Sequence, residues 1–344
     1  MRIGLDLRTG ADITGVARYA EALSGALAEE DRADDFVVFK NPLRRIPFLT
    51  SHISFRHEIK RAKLDLLHVL GGTPPLGYRG RYVLTVHDLL IYRHPEWFPD
   101  GQWFSTKISF PSAVKLARRI IVPSLTTKND LLDIFHYPAE RISVIPHGVS
   151  LMPDMEQAAN GKKGDYILCL GTIEPRKNIS MLVNAYRLFI DANPDFGDTE
   201  LVLAGAVGWK NDELIDQIRK TQCEGYKIKM CGRVSEEEKW RLLKNARCLA
   251  FPSRGEGFGL PLLEAMAAGT PVIASDLPVL HETAGAAALY AGIDDVAAWA
   301  EKVREIFLNE KTAAELRHKG LARAAAMTWQ KCARLTLDAY RLTM

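Results

Sequence analysis

Residues 251–276 read FPSRGEGFGLPLLEAMAAGTPVIASD. An apolar run at 247–251 stops at Pro252, and a loop with Gly255, Gly257 and Gly259 follows. Pro261 stands where a first helical residue belongs, with good helix formers behind it. Gly269 ends that helix and Pro271 opens the next strand-like run. A glycine loop therefore feeds a helix N-terminus directly after a strand. Backbone N–H groups converge there, the helix dipole favours an anion, and glycine lets a phosphate approach the main chain. Glu256 lies in the loop and Glu264 one turn into the helix. Carboxylates so close to a phosphate suit the hydroxyls of a sugar or a ribose. The alternative is an ordinary capped helix with two solvated glutamates, because glycine-rich strand–helix turns are common in α/β folds.

The same grammar runs along the whole chain. Short apolar runs fall at 2–7, 36–39, 66–70, 82–86, 119–122 and 142–145, and again at 166–170, 200–204, 227–230, 247–251, 271–274 and 287–290. Most are almost continuously apolar, as parallel strands covered on both faces must be. Helical stripes lie between them. One is Val16, Tyr19, Leu23 and Leu27; another is Ile179, Leu182, Val183, Tyr186 and Phe189, with Asn178 placed to cap it. Ser235 followed by Glu238 makes a capping-box pattern. Alternating strand and helix predicts doubly wound α/β sheets. The polar stretch 151–164, LMPDMEQAANGKKG, has no periodicity and reads as a linker between two such halves. The tail 311–344 is helical in pattern, with Trp329, Leu335, Leu337 and Tyr340 apolar enough to need a partner surface.

A chain of 344 residues suits two domains, and 47% hydrophobic with 25% charged residues is an ordinary globular balance. No apolar run reaches the roughly 18 residues of a membrane span, and the opening MRIGLDLRTG lacks an apolar leader core. The net charge of +3 gives no ground for a nucleic-acid partner. Its distribution is uneven. Within 40–63, Lys40, Arg44, Arg45, Arg56, Lys60, Arg61 and Lys63 face only Glu58, with Ile46, Phe48, Leu49 and Phe55 interleaved. That stretch is either a solvated helix and loop or a surface for anionic lipid or an anionic acceptor. The five cysteines (Cys169, Cys223, Cys231, Cys248 and Cys332) form no CxxC pair and no zinc spacing, and a reducing cytoplasm fits them; Cys169 and Cys248 sit inside apolar runs.

Three further motifs carry chemistry. GTIEPRKN, residues 171–178, places Arg176 and Lys177 between a strand and a helix. Alone, the pair reads as a solvated basic turn; beside the glycine loop it suits a diphosphate, with Arg as a fork and Lys as a point charge. His87–Asp88 follows strand 82–86, at the end of a parallel strand where ligands bind, although a lone His there is as readily structural. Thr14-Gly15-Val16 opens a helix after the first strand and is weak by itself.

Together these segments resemble the retaining glycosyltransferases called glycosyl transferases group 1. The resemblance rests on GEGFGLPLLEAMAAGTPVI with its Glu256-x7-Glu264 spacing, and on TGVARY, TVHDL, VPS, VIPHGV, LGTIEPRKN, LAG and CGRVSEEE in order. TVHDLLIYRHPEWF with GTIEPRKN is similar to the bacterial O-antigen mannosyltransferase subgroup. The resemblance implies the GT-B fold: two doubly wound Rossmann-like domains facing a deep cleft. An acceptor-side domain would span 1–155 and a donor-binding domain 160–327, with the C-terminal helix 328–344 crossing back onto the first.

It also implies roles. Arg176 and Lys177 would hold the donor diphosphate and offset leaving-group charge, so that no metal or other cofactor is needed. Glu256 would contact the hydroxyls of the transferred sugar. His87 would sit beside that sugar, acting through a hydroxyl contact or its backbone carbonyl and not as a base. Glu264 would take the ribose hydroxyls. Gly257, Phe258, Gly259 and Leu260 would meet the donor, the last two through amides to phosphate. Arg233 and Val234 would lie near the base, and Gly15 would let its loop reach the diphosphate.

The expected donor is GDP-mannose, with dTDP-rhamnose, GDP-fucose or a UDP-sugar as alternatives. The expected acceptor is a lipid-linked or polysaccharide glycan at the cytoplasmic membrane face, with peripheral contact to anionic lipid. A sugar-nucleotide epimerase on the same fold is disfavoured by the intact glutamate pair. A phosphorylase is disfavoured by length, and a dinucleotide dehydrogenase by the lack of GxGxxG after the first strand.

Overall fold

A computed structural model of the chain describes residues 1–8, 15–31, 33–40, 48–75, 77–150 and 164–344, with 48–54 described in backbone only. Thr14, Arg44, Arg45, Ile46 and linker residues 151–163 lie outside the described residues, as do the side chains of Phe48 and Leu49.

All twelve strand-like runs form strands. In chain order the first elements are β1 (Arg2–Asp6), α1 (Gly15–Glu30), β2 (Asp35–Phe39), α2 (Phe48–Ala62), β3 (Leu66–Val69) and β4 (Tyr82–Thr85). There follow α3 (Leu90–Arg93), α4 (Phe110–Leu116), β5 (Arg119–Val122), α5 (Leu125–Phe135) and β6 (Ile142–Val144). The second series is β7 (Tyr166–Leu170), α6 (Ile179–Ala192), β8 (Glu200–Ala204), α7 (Asp212–Cys223), β9 (Ile228–Gly232), α8 (Glu236–Asn245) and β10 (Cys248–Phe251). It continues with α9 (Leu260–Ala267), β11 (Val272–Ser275), α10 (Pro278–Ala284), β12 (Ala288–Ala291), α11 (Val296–Leu308) and α12 (Glu310–Ala325), and α13 (Trp329–Arg341) closes the chain.

The strands form two six-stranded sheets, β2-β1-β3-β4-β5-β6 and β12-β11-β10-β7-β8-β9, parallel throughout. Every residue of β3, β4, β5, β10 and β11 is buried, which explains their mostly apolar sequence; His68, Thr85, Arg119 and Ser275 are the buried polar residues among them.

Two compact units result. The first comprises Met1–Arg93, Asp100–Gly148 and Met327–Met344; the second comprises His94–Pro99 and Val149–Ala326. The segment 94–99, which the sequence reading places in the first domain, is therefore part of the second unit. Trp209 Nε1 donates to the Trp97 carbonyl at 2.7 Å and Lys210 Nζ to that of Glu96 at 2.9 Å, and these bonds hold it there.

In the first unit α1 buries Tyr19, Leu23 and Leu27, and α13 packs on α1. Leu335 departs from the expected apolar face and is exposed, whereas Trp329, Leu337 and Tyr340 are buried. A buried polar chain ties α13 into the sheet. His68 Nδ1 lies 2.6 Å from the Tyr340 hydroxyl, its Nε2 lies 2.8 Å from Thr85 Oγ1, and Thr85 Oγ1 lies 3.1 Å from the Tyr19 hydroxyl. Burial pulls His68 down to about 3, so the ring is uncharged at neutral pH.

In the second unit the stripe Leu182, Val183, Tyr186 and Phe189 of α6 is buried and shares one core with Trp299, Val303, Ile306 and Phe307 of α11. The Ser235 hydroxyl accepts from the Glu238 amide at 3.1 Å and starts α8, as the capping pattern predicts. Cys169 and Cys248 are core residues.

Candidate functional site

The second sheet places two loops side by side. The chain runs from β7 outward to β8 and β9, then returns to the other flank of β7 as β10. The strand order reverses between β7 and β10, and open α/β sheets bind ligands outside the carboxyl ends of strands at such a point. GTIEPRKN leaves the end of β7, and the glycine loop leaves the end of β10. On its other flank the turn out of β7 lies tight against the end of β8 and needs glycine there: a Cβ on Gly205 would lie 1.9 Å from the Gly171 carbonyl oxygen.

Hydrogen bonds to backbone carbonyls stitch the loops together. The Arg254 amide donates to the Arg176 carbonyl at 2.8 Å, and Arg176 Nη1 donates to the Gly255 carbonyl at 3.0 Å. The side chains then form one charge cluster. Arg176 reaches Glu174 at 2.5 Å and Glu256 at 2.9 Å, and Lys177 Nζ meets the same Glu256 oxygen at 2.6 Å. The Lys177 ammonium also lies 4.7 Å above the Phe251 ring. Burial alone would raise the Glu256 carboxyl. The fields of Arg176 and Lys177, with the Lys177 hydrogen bond, outweigh it and bring Glu256 down to about 2. Glu256 is thus an anion held by two cations at the end of two parallel strands.

The glycine loop enters α9 as its sequence suggests. Gly259 has φ of 98°, a left-handed conformation that side chains resist, and a Cβ there would press on Leu280 at 3.0 Å. The Phe258 ring is buried, and its carbonyl accepts from Thr283 Oγ1 at 2.5 Å. Leu260 is the first residue of α9 and Glu264 lies one turn in, also buried. Glu264 Oε1 accepts from Lys239 Nζ of α8 at 2.6 Å, and Lys239 meets Glu236 at the same distance. Arg233 is exposed and Val234 half-buried, in the turn from β9 into α8.

One expectation fails here. Asn178 does not cap α6 with its side chain: its backbone is left-handed, with φ of 52°. The side chain instead donates to the Ile293 carbonyl at 2.8 Å and accepts from Arg254 at 3.0 Å. Arg254 also forks onto Asp294. Asn178 therefore braces the two loops. Glu174, Arg254, Asp294 and Lys239 were not among the residues singled out from sequence. Glu174 carried a signal, since it lies inside the same motif as Arg176. Lys239 carried another: with Leu242 and Leu243 it falls on the apolar face of α8, where a lysine is out of place.

His87 and Gly15 belong to the first unit. Gly15 is the exposed first residue of α1. His87 Nε2 lies 2.8 Å from the Leu70 carbonyl, which can only accept, so the proton is on Nε2 and Nδ1 faces His147 Nε2 at 3.4 Å. Burial lowers His87, against the Leu70 hydrogen bond and Asp88. A neutral ring with both nitrogens engaged is poorly placed to act as a base.

On the opposite edge of that sheet, at the N-terminal ends of β3 and β4, a cavity of about 740 Å³ is lined by Arg56, His57, Lys60, Lys63 and Arg79, with Ile59, Leu64 and Tyr78. Among the described residues, no group of three or more His, Cys, Asp or Glu is arranged to hold a metal ion, and no helix is long and apolar enough to cross a membrane.

Known proteins agree with this architecture. Residues 16–152 match the model of Glycosyltransferase Family 4, and residues 153–323 match that of Glycosyl transferases group 1. The chain is 32% identical over 273 residues to the O-antigen chain mannosyltransferase B of Escherichia coli, covering 76% of this chain and 70% of that protein. It is 29% identical to the O-antigen chain mannosyltransferase RfbU of Salmonella typhimurium, covering 65% of this chain and 60% of that one. Among solved structures, Anabaena Alr3699/HepE in complex with UDP and glucose superposes with a TM-score of 0.75 over 99% of both chains, at 18% identity. The chain is a glycosyltransferase of the glycosyl transferases group 1 family, built on the GT-B fold.

Proposed function

We propose that this enzyme is a retaining, metal-independent transferase that moves mannose from GDP-mannose to a lipid-linked or polysaccharide acceptor in cell-surface O-antigen biosynthesis. The observation that carries this reading is the Arg176–Lys177–Glu256 cluster beside the glycine loop. A nucleoside diphosphate entering it would take over the two cations. They would then stabilise charge as the bond between the anomeric carbon and the phosphate oxygen breaks. In a front-face reaction the new bond to the acceptor oxygen forms on the side the diphosphate leaves, and the acceptor proton goes to the departing phosphate oxygen. No protein base is then required. Two fixed cations would supply what a divalent metal supplies elsewhere.

Glu256, released from its cations, would turn to the sugar hydroxyls. Glu264 would bind the ribose, the Gly259 and Leu260 amides the phosphates, and Arg233 with Val234 the base. His87 and Gly15 keep the roles the resemblance gives them. The choice of mannose rests on the names of the two enterobacterial relatives. The complex of Anabaena Alr3699/HepE with UDP and glucose keeps a UDP-sugar as the alternative donor. The basic cavity beside α2 supports a place at the inner membrane surface, bound to anionic lipid through the 40–63 stretch.

The test is a thermal-shift panel of GDP-mannose, GDP-fucose, UDP-glucose, UDP-GlcNAc and dTDP-rhamnose, with and without EDTA. A ligand at 100 times its Kd stabilises by roughly 2.7 kcal/mol. GDP-mannose should give the largest shift, unchanged by EDTA. A larger shift with a UDP-sugar would overturn the donor, and loss of the shift in EDTA would overturn the metal-free reading.

A further inference from the structure

We infer that Lys239 is a positioning residue for the donor: its ammonium, bonded to Glu264, aims that carboxylate at the ribose. This deepens the donor-site reading above and rests on it.

The argument starts from an anomaly. Positions 239, 242 and 243 share the buried face of α8, and two of them are leucine. A leucine or methionine at 239 would continue that face. The chain instead puts a lysine there and buries it in the core, with its side chain 2% exposed. It also stands in the first turn of the helix, which carries Glu236, Glu237 and Glu238, where the dipole opposes a cation. A buried ion pair is weak support for stability, because desolvation of both groups offsets their attraction, and an apolar replacement is often as stable. The lysine is therefore better explained by what it touches. Its Nζ lies 2.6 Å from Glu264 Oε1, and Glu264 stands one turn inside the helix that the glycine loop feeds. Glu236, 2.6 Å away on the other side, fixes where the ammonium points, and the Trp240 ring lies 5.1 Å from it. Without a fixed partner a side chain as long as glutamate has several rotamers open to it, most of which turn its carboxylate away from one hydroxyl. The bond from Lys239 selects among them and fixes where Glu264 Oε1 lies.

The test compares ribose with deoxyribose. Calorimetry on the full chain measures GDP against 2′-deoxy-GDP, and UDP against 2′-deoxy-UDP. The wild type is expected to bind the ribose form of its preferred base about tenfold more tightly, as a hydroxyl bonded to a carboxylate should give. In Lys239→Met that ratio should fall to within about twofold of one, while affinity for inorganic pyrophosphate, which reads Arg176 and Lys177, stays unchanged. A merely structural lysine would leave the ratio intact in a variant that still folds, and that result overturns the inference. Should Lys239→Met fail to fold, Lys239→Gln serves, since its arm is one atom shorter and cannot hold Glu264 Oε1 where the ammonium does. Its ratio should also fall to within about twofold of one with pyrophosphate affinity unchanged; a wild-type ratio in that variant overturns the inference. A wild-type ratio of one with both bases, and again with the 3′-deoxy nucleotides, would instead show that Glu264 does not meet the ribose. The parent reading then fails and takes this inference with it.

Discussion

Glu256→Gln isolates charge from shape at the centre of the cluster. The glutamine keeps the size of the side chain and an oxygen that Lys177 can reach, but it loses the anion that Arg176 and Lys177 share. The magnitude follows from titration. The Glu256 carboxyl moves from an ordinary 4.5 to about 2 in the folded protein. At ~1.4 kcal/mol per pH unit, that gap corresponds to about 3 kcal/mol of folded-state stabilisation of the anion. The depressed folded value sets the sign: the contribution is complete above 4.5 and is lost as pH falls toward 2. The loss agrees with the roughly 3–5 kcal/mol expected when one partner of a buried ion pair is removed.

For a unit of this size, about 3 kcal/mol lowers the melting temperature by roughly 6–12 °C. Differential scanning calorimetry of the full chain at pH 7 should show that shift in the transition of the second unit. The variant should also lose part of the wild-type decline in stability between pH 4.5 and 3. Adding Lys177→Met should lower stability by less than the sum of the two single changes, because they share one interaction. Nucleoside diphosphate binding should persist in Glu256→Gln, since both cations remain, while turnover nearly disappears. A melting temperature within about 1 °C of wild type would refute the electrostatic account, and full turnover would refute the assignment of Glu256 to the sugar.

Three other outcomes are expected. Arg176→Ala with Lys177→Ala should weaken nucleoside diphosphate binding about 100-fold or more in calorimetry, since two charge-assisted contacts go together; unchanged affinity would put the diphosphate elsewhere. His68, pulled down to about 3 by burial, must stay neutral in the folded state, so it removes stability as pH falls below about 6.5, by up to ~1.4 kcal/mol per pH unit. Urea unfolding of His68→Gln between pH 6 and 4.5 should show a shallower pH dependence than wild type, by close to one proton. Charge reversal at Arg44, Arg45, Lys60 and Arg61 should abolish sedimentation with vesicles containing anionic lipid, at ~1 kcal/mol per cation, and leave binding to neutral vesicles unaltered; equal binding of both proteins to anionic vesicles would sink the membrane assignment.

The twelve strands, the helix that follows the glycine loop and the cap at Ser235 were legible in the sequence because each depends on neighbours in the chain. A parallel strand covered on both faces must be apolar along its length, and a helix start needs its acceptor within three residues. Arg176, Lys177, Glu256 and Glu264 could be singled out for the same reason, since the first three sit in loops directly after a strand and Glu264 one turn into the helix that the glycine loop feeds. Their partners could not. Asn178 has the residue type and spacing of a cap, yet it turns to Arg254, 76 positions away, and to the Ile293 carbonyl. Leu335 continues an apolar stripe but faces solvent, because the packing of α13 on α1 leaves that position uncovered. Lys239 and Glu264 are 25 residues apart on different helices, and only the packing of α8 beside α9 brings their charges within 2.6 Å. Local sequence determined the elements and where the polar residues would gather. The tertiary structure decided which charge meets which, because an ion pair depends on distances between elements that no periodicity encodes.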